Sequence, residues 1–126
     1  MTLCNNVKIW IQLQVPKVED GNNFGVAVQE DMINDLARAE DASLMVFDNI
    51  NKYYMGRAKL ISKVAKYPNL DDYKMAIKEM DDKQVRSIWL VFSDLRNNYS
   101  VLHDSLVKNM EKLINPRNVT ASTMMY

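Results

Sequence analysis

His103 is the single histidine in a chain of 126 residues, with Asp104 beside it and Ser100 and Ser105 close by. Imidazole, carboxylate and hydroxyl are the groups that build an activated nucleophile: the hydroxyl attacks while the imidazole takes its proton. The spacing works against that chemistry. Neighbours along one helix do not face each other, and no strained nucleophile turn surrounds either serine. His103 therefore reads as a helix-surface or interface residue. One histidine cannot make a His-rich metal site, and the Glu-x-x-His pairs of carboxylate-bridged metal bundles do not occur. Cys4 is the single cysteine, which rules out an internal disulfide and suits a reducing compartment. It has no histidine or cationic partner close in sequence and reads as an inert thiol near the terminus. Gly21 and Gly25 have neither the spacing nor the following Lys-Ser/Thr of a phosphate loop. Asn98-Tyr99-Ser100 and Asn118-Val119-Thr120 match the glycosylation triplet, read here as chance matches because no secretory layout precedes them. The expectation is a protein that is not an enzyme and holds no cofactor or metal.

Two stretches carry a different kind of chemistry, that of surface recognition. The first is Glu19-Asp20-Gly21-Asn22-Asn23-Phe24-Gly25-Val26. Gly21 and Gly25 can take positive φ at no steric cost, and Asn22 and Asn23 tolerate the left-handed region better than most residues. Phe24 is an apolar ring between flexible points and needs something to pack on. On composition the stretch is either a helix-entry loop or a shaped contact surface. The second is Met124-Met125-Tyr126, an apolar plug ending in a carboxylate. Capture by a receptor pocket and a disordered tail are both open on pattern alone. The remaining charges, Lys74, Lys78, Lys83, Asp71, Asp72, Asp81 and Asp82, read as solvated helix residues.

These stretches must be positioned by the elements around them. In residues 1–15, Val7, Ile9, Ile11, Leu13 and Val15 alternate with Lys8, Trp10, Gln12 and Gln14, which is mostly strand periodicity. No second strand exists for it to pair with, so a helix is easier to justify physically. Pro16 ends either element. Residues 26–66 are helical in pattern: Ile33, Leu36, Leu44, Phe47, Ile50, Tyr54, Ala58, Ile61 and Ala65 recur at three- and four-residue steps. Glu30 and Asp31 are expected in the first turns, and Lys63 and Lys66 in the last, each suiting the helix dipole. Gly56 lies inside this helix. Tyr67-Pro68-Asn69-Leu70 is a break, with Asn69 able to cap a new helix. The second long helix spans residues 70–114, with a stripe through Tyr73, Ile77, Met80, Ile88, Val91, Leu95, Tyr99, Leu102, Leu106, Met110 and Leu113. Between Ile88 and Phe92 it is apolar on nearly every face. Asn115-Pro116-Arg117 stops it, and residues 115–126 form a polar tail up to the apolar plug.

The expectation is all-α: an antiparallel bundle of two long helices and a short N-terminal helical stub, in one domain. Two helices cannot cover stripes this wide, so further helices are expected from other copies side by side or from a segment outside these residues, in preference to a monomeric bundle with residues 1–15 as its third helix. The 16 basic and 16 acidic residues cancel, which argues against nucleic-acid partners. No apolar run reaches membrane-spanning length, and the chain is expected to be soluble and intracellular. A plain helical oligomerisation scaffold would satisfy all of this.

With these residues in view, the chain resembles the C-terminal half of the REG family of proteasome activators, the eleven-S regulators. The loop at residues 19–26 matches that family's activation loop with its flanks. Further matches are Arg57-Ala58-Lys59, Ala65-Lys66-Tyr67-Pro68, Asp72-Tyr73, Leu95-Arg96-Asn97, Leu102-His103-Asp104, Lys108-Asn109 with Glu111-Lys112, Pro116-Arg117, and the terminal Tyr126. Lys59 and His103 look more like the gamma branch. The resemblance implies part of a four-helix subunit in a heptameric ring with an axial channel, in the nucleus or cytoplasm. It implies docking on the α subunits of the proteasome core particle. Tyr126 would supply the docking carboxylate, with Met124 and Met125 as apolar contacts. Residues 16–25 would be the activation loop, with Asn22 opening the gate and Gly21, Asn23, Phe24 and Gly25 shaping it. Residues 1–15 would end a preceding helix, and Lys59 would face the channel. The family's first helix, most of its second and the insert between them have no counterpart in these residues.

Overall fold

The computed structural model describes residues 1–117, in three helices and no strand among those residues: α1 (Thr2–Gln14), α2 (Phe24–Lys66) and α3 (Asp71–Ile114). The fold is all-α. Residues 1–15, which alternate like a strand, are a helix as far as Gln14. Helical geometry places Cys4, Val7 and Ile11 on one face, at steps of three and four, and that face enters the core. Ile9 and Leu13, which a strand would have put beside them, stay 45% and 78% exposed. Val15 is extended (φ −65°, ψ 122°) ahead of Pro16, the geometry that proline imposes on the residue before it.

The described chain divides into two units. The first holds residues 1–42 with 98 onward. Its core is Cys4, Ile11, Met32, Leu36 and Leu113, ringed by Val7, Val28, Ile33, Ala39, Leu102 and Leu106. Each helix contributes a stripe, so three helices enclose one apolar interior. Cys4 is buried, with Sγ 3.8 Å from the Tyr99 hydroxyl. The Lys8 ammonium pairs with the Glu40 carboxylate across α1 and α2, both side chains largely shielded.

The second unit, residues 43–97, is an antiparallel helical hairpin. Its turn is fastened by Tyr67 N–H to Lys63 O (2.8 Å) and Leu70 N–H to Tyr67 O (3.2 Å). α3 begins at Asp71, so Leu70 rather than Asn69 precedes it; Asp71 and Asp72 occupy its first turn. α2 runs through Gly56 without a break, and Met80 of α3 packs beside it: a Cβ on Gly56 would stand 3.3 Å from Met80 Cε. The two helices are also clasped by Asp81, which accepts from Tyr53 Oη (2.8 Å), Arg57 Nε (2.9 Å) and Arg57 Nη2 (3.2 Å). Near the turn, Tyr67 stacks on Tyr73 at 6.3 Å and Lys63 lies over the Tyr73 ring. The apolar patch of α3 is left open, with Trp89, Leu90 and Phe92 all exposed.

Candidate interaction site at the α1–α2 loop

The connection between α1 and α2 is shaped at its tip by two consecutive left-handed residues, Gly21 (φ +82°) and Asn22 (φ +46°). Glycine takes this conformation freely, and asparagine is among the few others that tolerate it. Asn23 and Gly25, equally permissive by type, do not use that freedom. Asn23 instead ends the loop. Its carbonyl accepts the Ala27 N–H (3.0 Å), while its side-chain Nδ2 reaches back to Glu19 O (3.3 Å). Gly25 is buried in the first turn of α2 for a steric reason: a Cβ there would lie 2.6 Å from Pro116 Cα and 2.7 Å from Pro116 C. The chain after α3 passes too close for any side chain. α2 starts at Phe24, and Glu30 and Asp31 fall beyond its first turn, which contains no acidic residue.

Arg117 fastens the loop from the other side. Its Nη1 donates to Lys17 O (2.7 Å) and pairs with Glu19 Oε2 (3.2 Å), and its Nη2 donates to Asn23 Oδ1 (3.1 Å). The planar, permanently charged fork suits three acceptors at once. Gln29, fully buried, performs a parallel task beneath the loop. Its Nε2 donates to Gln14 O (3.2 Å) and to Leu113 O (2.8 Å). Both are C-terminal carbonyls that lack an intrahelical partner, so one amide closes the ends of α1 and α3 together. The Gln29 Oε1 is buried with no partner.

Residues 17–24 are all exposed, so the tip and its apolar neighbours face outward together with Lys17, Glu19, Asp20 and Asn23. Gly21 and Asn22 are exposed, Val18 is 100% exposed, and Phe24 is 73% exposed, so the ring expected to need a packing partner has little within this unit. A loop braced at its base with an unsatisfied apolar rim can present a fixed surface to another molecule. Lys59 lies in the second unit, exposed on a shallow depression with Gly56, Ser62, Lys63 and Met80. Met124, Met125 and Tyr126 fall outside the described residues. His103 is exposed, and the Asp104 beside it is taken by Lys108 (2.6 Å). No cluster of His, Cys, Asp and Glu able to hold a metal, and no helix long and apolar enough to cross a membrane, occurs among the described residues.

Arg117 and Gln29 escape a reading of the sequence. A signal existed for Gln29: it stands three and seven residues before Met32 and Leu36, a polar side chain on an apolar stripe. For Arg117 there was only its place after Pro116.

Comparison with known proteins gives this arrangement a context. Residues 1–123 match the family model described as proteasome activator PA28, C-terminal. The chain is 47% identical over 121 residues to proteasome activator complex subunit 3 of Homo sapiens, covering 96% of this chain and 48% of that protein. Proteasome activator 28 of Dictyostelium discoideum is 36% identical over 118 residues, 94% of this chain and 52% of that one. The crystal structure of the 11S subunit of the Plasmodium falciparum proteasome, PA28, superposes with a TM-score of 0.88 at 50% identity, over 93% of this chain and 52% of that one. The chain thus spans about half the length of these relatives. Family match, sequence identity and superposition lead to one assignment: the chain belongs to the PA28 proteasome activator family, of which it carries the C-terminal region.

Proposed function

We propose that this chain is the docking and gating half of a subunit that activates the proteasome core particle without ATP and without catalysis of its own. The observation that carries the reading is the loop: a Gly21–Asn22 tip preset in the left-handed region, held at its base by Arg117 and facing outward, in a chain of this family. Residues 16–25 act as the activation loop. Asn22 bears on the core particle's gate, Gly21 and Asn23 set its angle, and Phe24 and Gly25 fix where α2 begins. Residues 115–126 act as the docking tail, with the Tyr126 carboxylate and the Met124 and Met125 side chains entering a pocket on the α subunits. Lys59 faces an axial channel in a heptameric ring, and the protein works in the nucleus, the cytoplasm or both.

The physical division of labour is that one short tail binds weakly, whereas several on a rigid ring act at high effective concentration. Docking alone opens nothing, because only a contact that favours the open gate over the closed one shifts that equilibrium. A purely structural helical scaffold explains the exposed apolar hairpin equally well but gives the braced tip no task. Mixing the chain with latent core particle and following a fluorogenic peptide separates the two, once native mass measurement has established the assembly state. Stimulated hydrolysis is expected. Asn22→Tyr is expected to retain binding and lose stimulation, and removal of Tyr126 to lose binding. Stimulation that survives both changes would overturn the assigned roles.

A further inference from the structure

The contacts of Arg117 reach further than the bracing of a loop. Its three acceptors lie on both limbs of the connection, Lys17 and Glu19 before the tip and Asn23 after it. One guanidinium therefore ties the two limbs together directly beneath Gly21–Asn22. The same residue lies three positions beyond the end of α3, and the backbone leading to it is held in place. Pro116 is buried against Gly25 in the first turn of α2. Three residues before Pro116, the Leu113 carbonyl is held by Gln29, a residue of α2. The point from which residues 118–126 depart, the start of α2 and the loop base form a single block. Besides Arg117, the limbs are tied by the 3.3 Å bond from Asn23 Nδ2 to Glu19 O and, further from the tip, by Gln29 Nε2 to Gln14 O (3.2 Å).

From this we propose that Arg117 is a positioning residue that sets the offset between the loop tip and the root of the C-terminal segment, so that seating the one aims the other. The inference rests on the gating reading above and adds to it a coupling element. A loop free to sample many shapes presents its tip correctly for only a fraction of the time, and its effect on a gate falls by that fraction. The fork removes that loss by ordering the loop in advance. Lysine in its place has a single ammonium on a flexible stem and cannot span three acceptors in fixed directions.

The test has two arms. In the chain alone, hydrogen exchange of the 17–23 amides is compared among wild type, Arg117→Ala, Arg117→Lys and Glu19→Ala. Protection is expected to fall about tenfold in Arg117→Ala, the size associated with losing hydrogen bonds to a charged group, and less in the other two. Helix content should hold, because the core and Gln29 are untouched. With core particle, the stimulation reached at saturating chain is expected to drop about tenfold in Arg117→Ala, with Arg117→Lys falling between. Unchanged loop exchange in Arg117→Ala, or an unchanged ceiling of stimulation at saturating chain, would overturn the proposal. If Arg117→Ala loses its helices, Glu19→Ala decides: its carboxylate is 68% exposed, and unaltered 17–23 exchange there also overturns it. A wild type that binds without stimulating removes the gating reading instead, and the exchange arm still decides whether Arg117 orders the loop.

Discussion

The loop-bearing unit and the helical hairpin of residues 43–97 are cut from the same two long helices, yet they are held by different forces. Cys4, Ile11, Gly25, Gln29, Met32, Leu36, Leu113 and Pro116 are buried, and all belong to the first unit; no residue of the hairpin is. The stripes of α2 and α3 run through both units. What differs is α1. A third helix closes the groove between the other two, and only then can a leucine lose its last contact with water. Two helices alone cover one narrow seam, so the hairpin is held by Tyr53, Arg57 and Asp81, by stacked tyrosines, and by the close approach of Met80 to Gly56. Its leftover apolar surface, including Phe47, Trp89, Leu90 and Phe92, suits further helices laid alongside.

The sharpest way to break this contrast is to truncate one leucine in each unit. Leu36 is 2% exposed, and Leu36→Ala is expected to cost about 2–5 kcal/mol, read from denaturant midpoints at constant m-value. Leu90 is 66% exposed, and Leu90→Ala should stay within about 0.5 kcal/mol in the dissociated chain. The same Leu90 change should weaken self-association in sedimentation. A large loss of monomer stability from Leu90→Ala would mean that the hairpin has a core after all.

Glycine offers a matched pair. Gly25→Ala forces a methyl into the backbone of Pro116 and is expected to destabilise by about 1–3 kcal/mol. Gly56→Ala meets only the flexible end of Met80, 3.3 Å away, and gains helix propensity of up to about 1 kcal/mol. Its thermal midpoint should hold or rise. The two substitutions are chemically identical, so opposite signs isolate the packing of the two units.

Gln29→Leu tests the polar seam of the first unit. It strands the Gln14 and Leu113 carbonyls, at about 1–3 kcal/mol for buried groups left unpaired, partly offset because the orphaned Oε1 leaves with the amide. Faster exchange in the last turns of α1 and α3 would distinguish this from a simple volume effect.

Much of the architecture is legible in the sequence because it is local. Three- and four-residue apolar steps, Pro68 and Pro116 mark the two long helices to within a few residues. Residues 1–15 are ambiguous because Val7 and Ile11 fit a period of two as well as 3.6, and only the groove they fill decides between them. Within the loop, residue types identify the permissive positions but not which are used. Gly21 and Asn22 turn left-handed, whereas Gly25 is needed for the passage of Pro116, 91 positions along the chain. The tasks of Gln29 and Arg117 are illegible for the same reason, although Gln29 stands out as polar on an apolar stripe, since their bonds reach acceptors as far as 84 and 100 residues away. No pattern in a local window encodes a bond of that range.

The smallest expected effect concerns the clasp of the hairpin, and it is read by titration. Hydrogen bonds from Arg57 and then Tyr53 hold the Asp81 carboxyl below its ordinary range. Its ionised form favours the clasp, so that contribution is complete above the ordinary carboxylate range and fades as pH falls through the lowered value. Tyr53 moves the other way. Its bond to Asp81, then burial, raise it above the ordinary 10.0. Its neutral form favours the clasp, complete below that value and lost as pH rises through the raised one. The hairpin should therefore be indifferent to pH across the neutral range and loosen at both extremes. Absorbance of the phenolates should show Tyr53 titrating late, alongside Tyr99, which its contact with the Cys4 thiol also raises; Asp81→Asn returns only Tyr53 toward 10.0, and Arg57→Lys leaves it high. Because Asp81 and its partners are substantially exposed, the change in unfolding midpoint should be minor beside those of Leu36 and Gly25. A loss as large as theirs would show that polar contacts do in the hairpin what the three-helix core does around the loop.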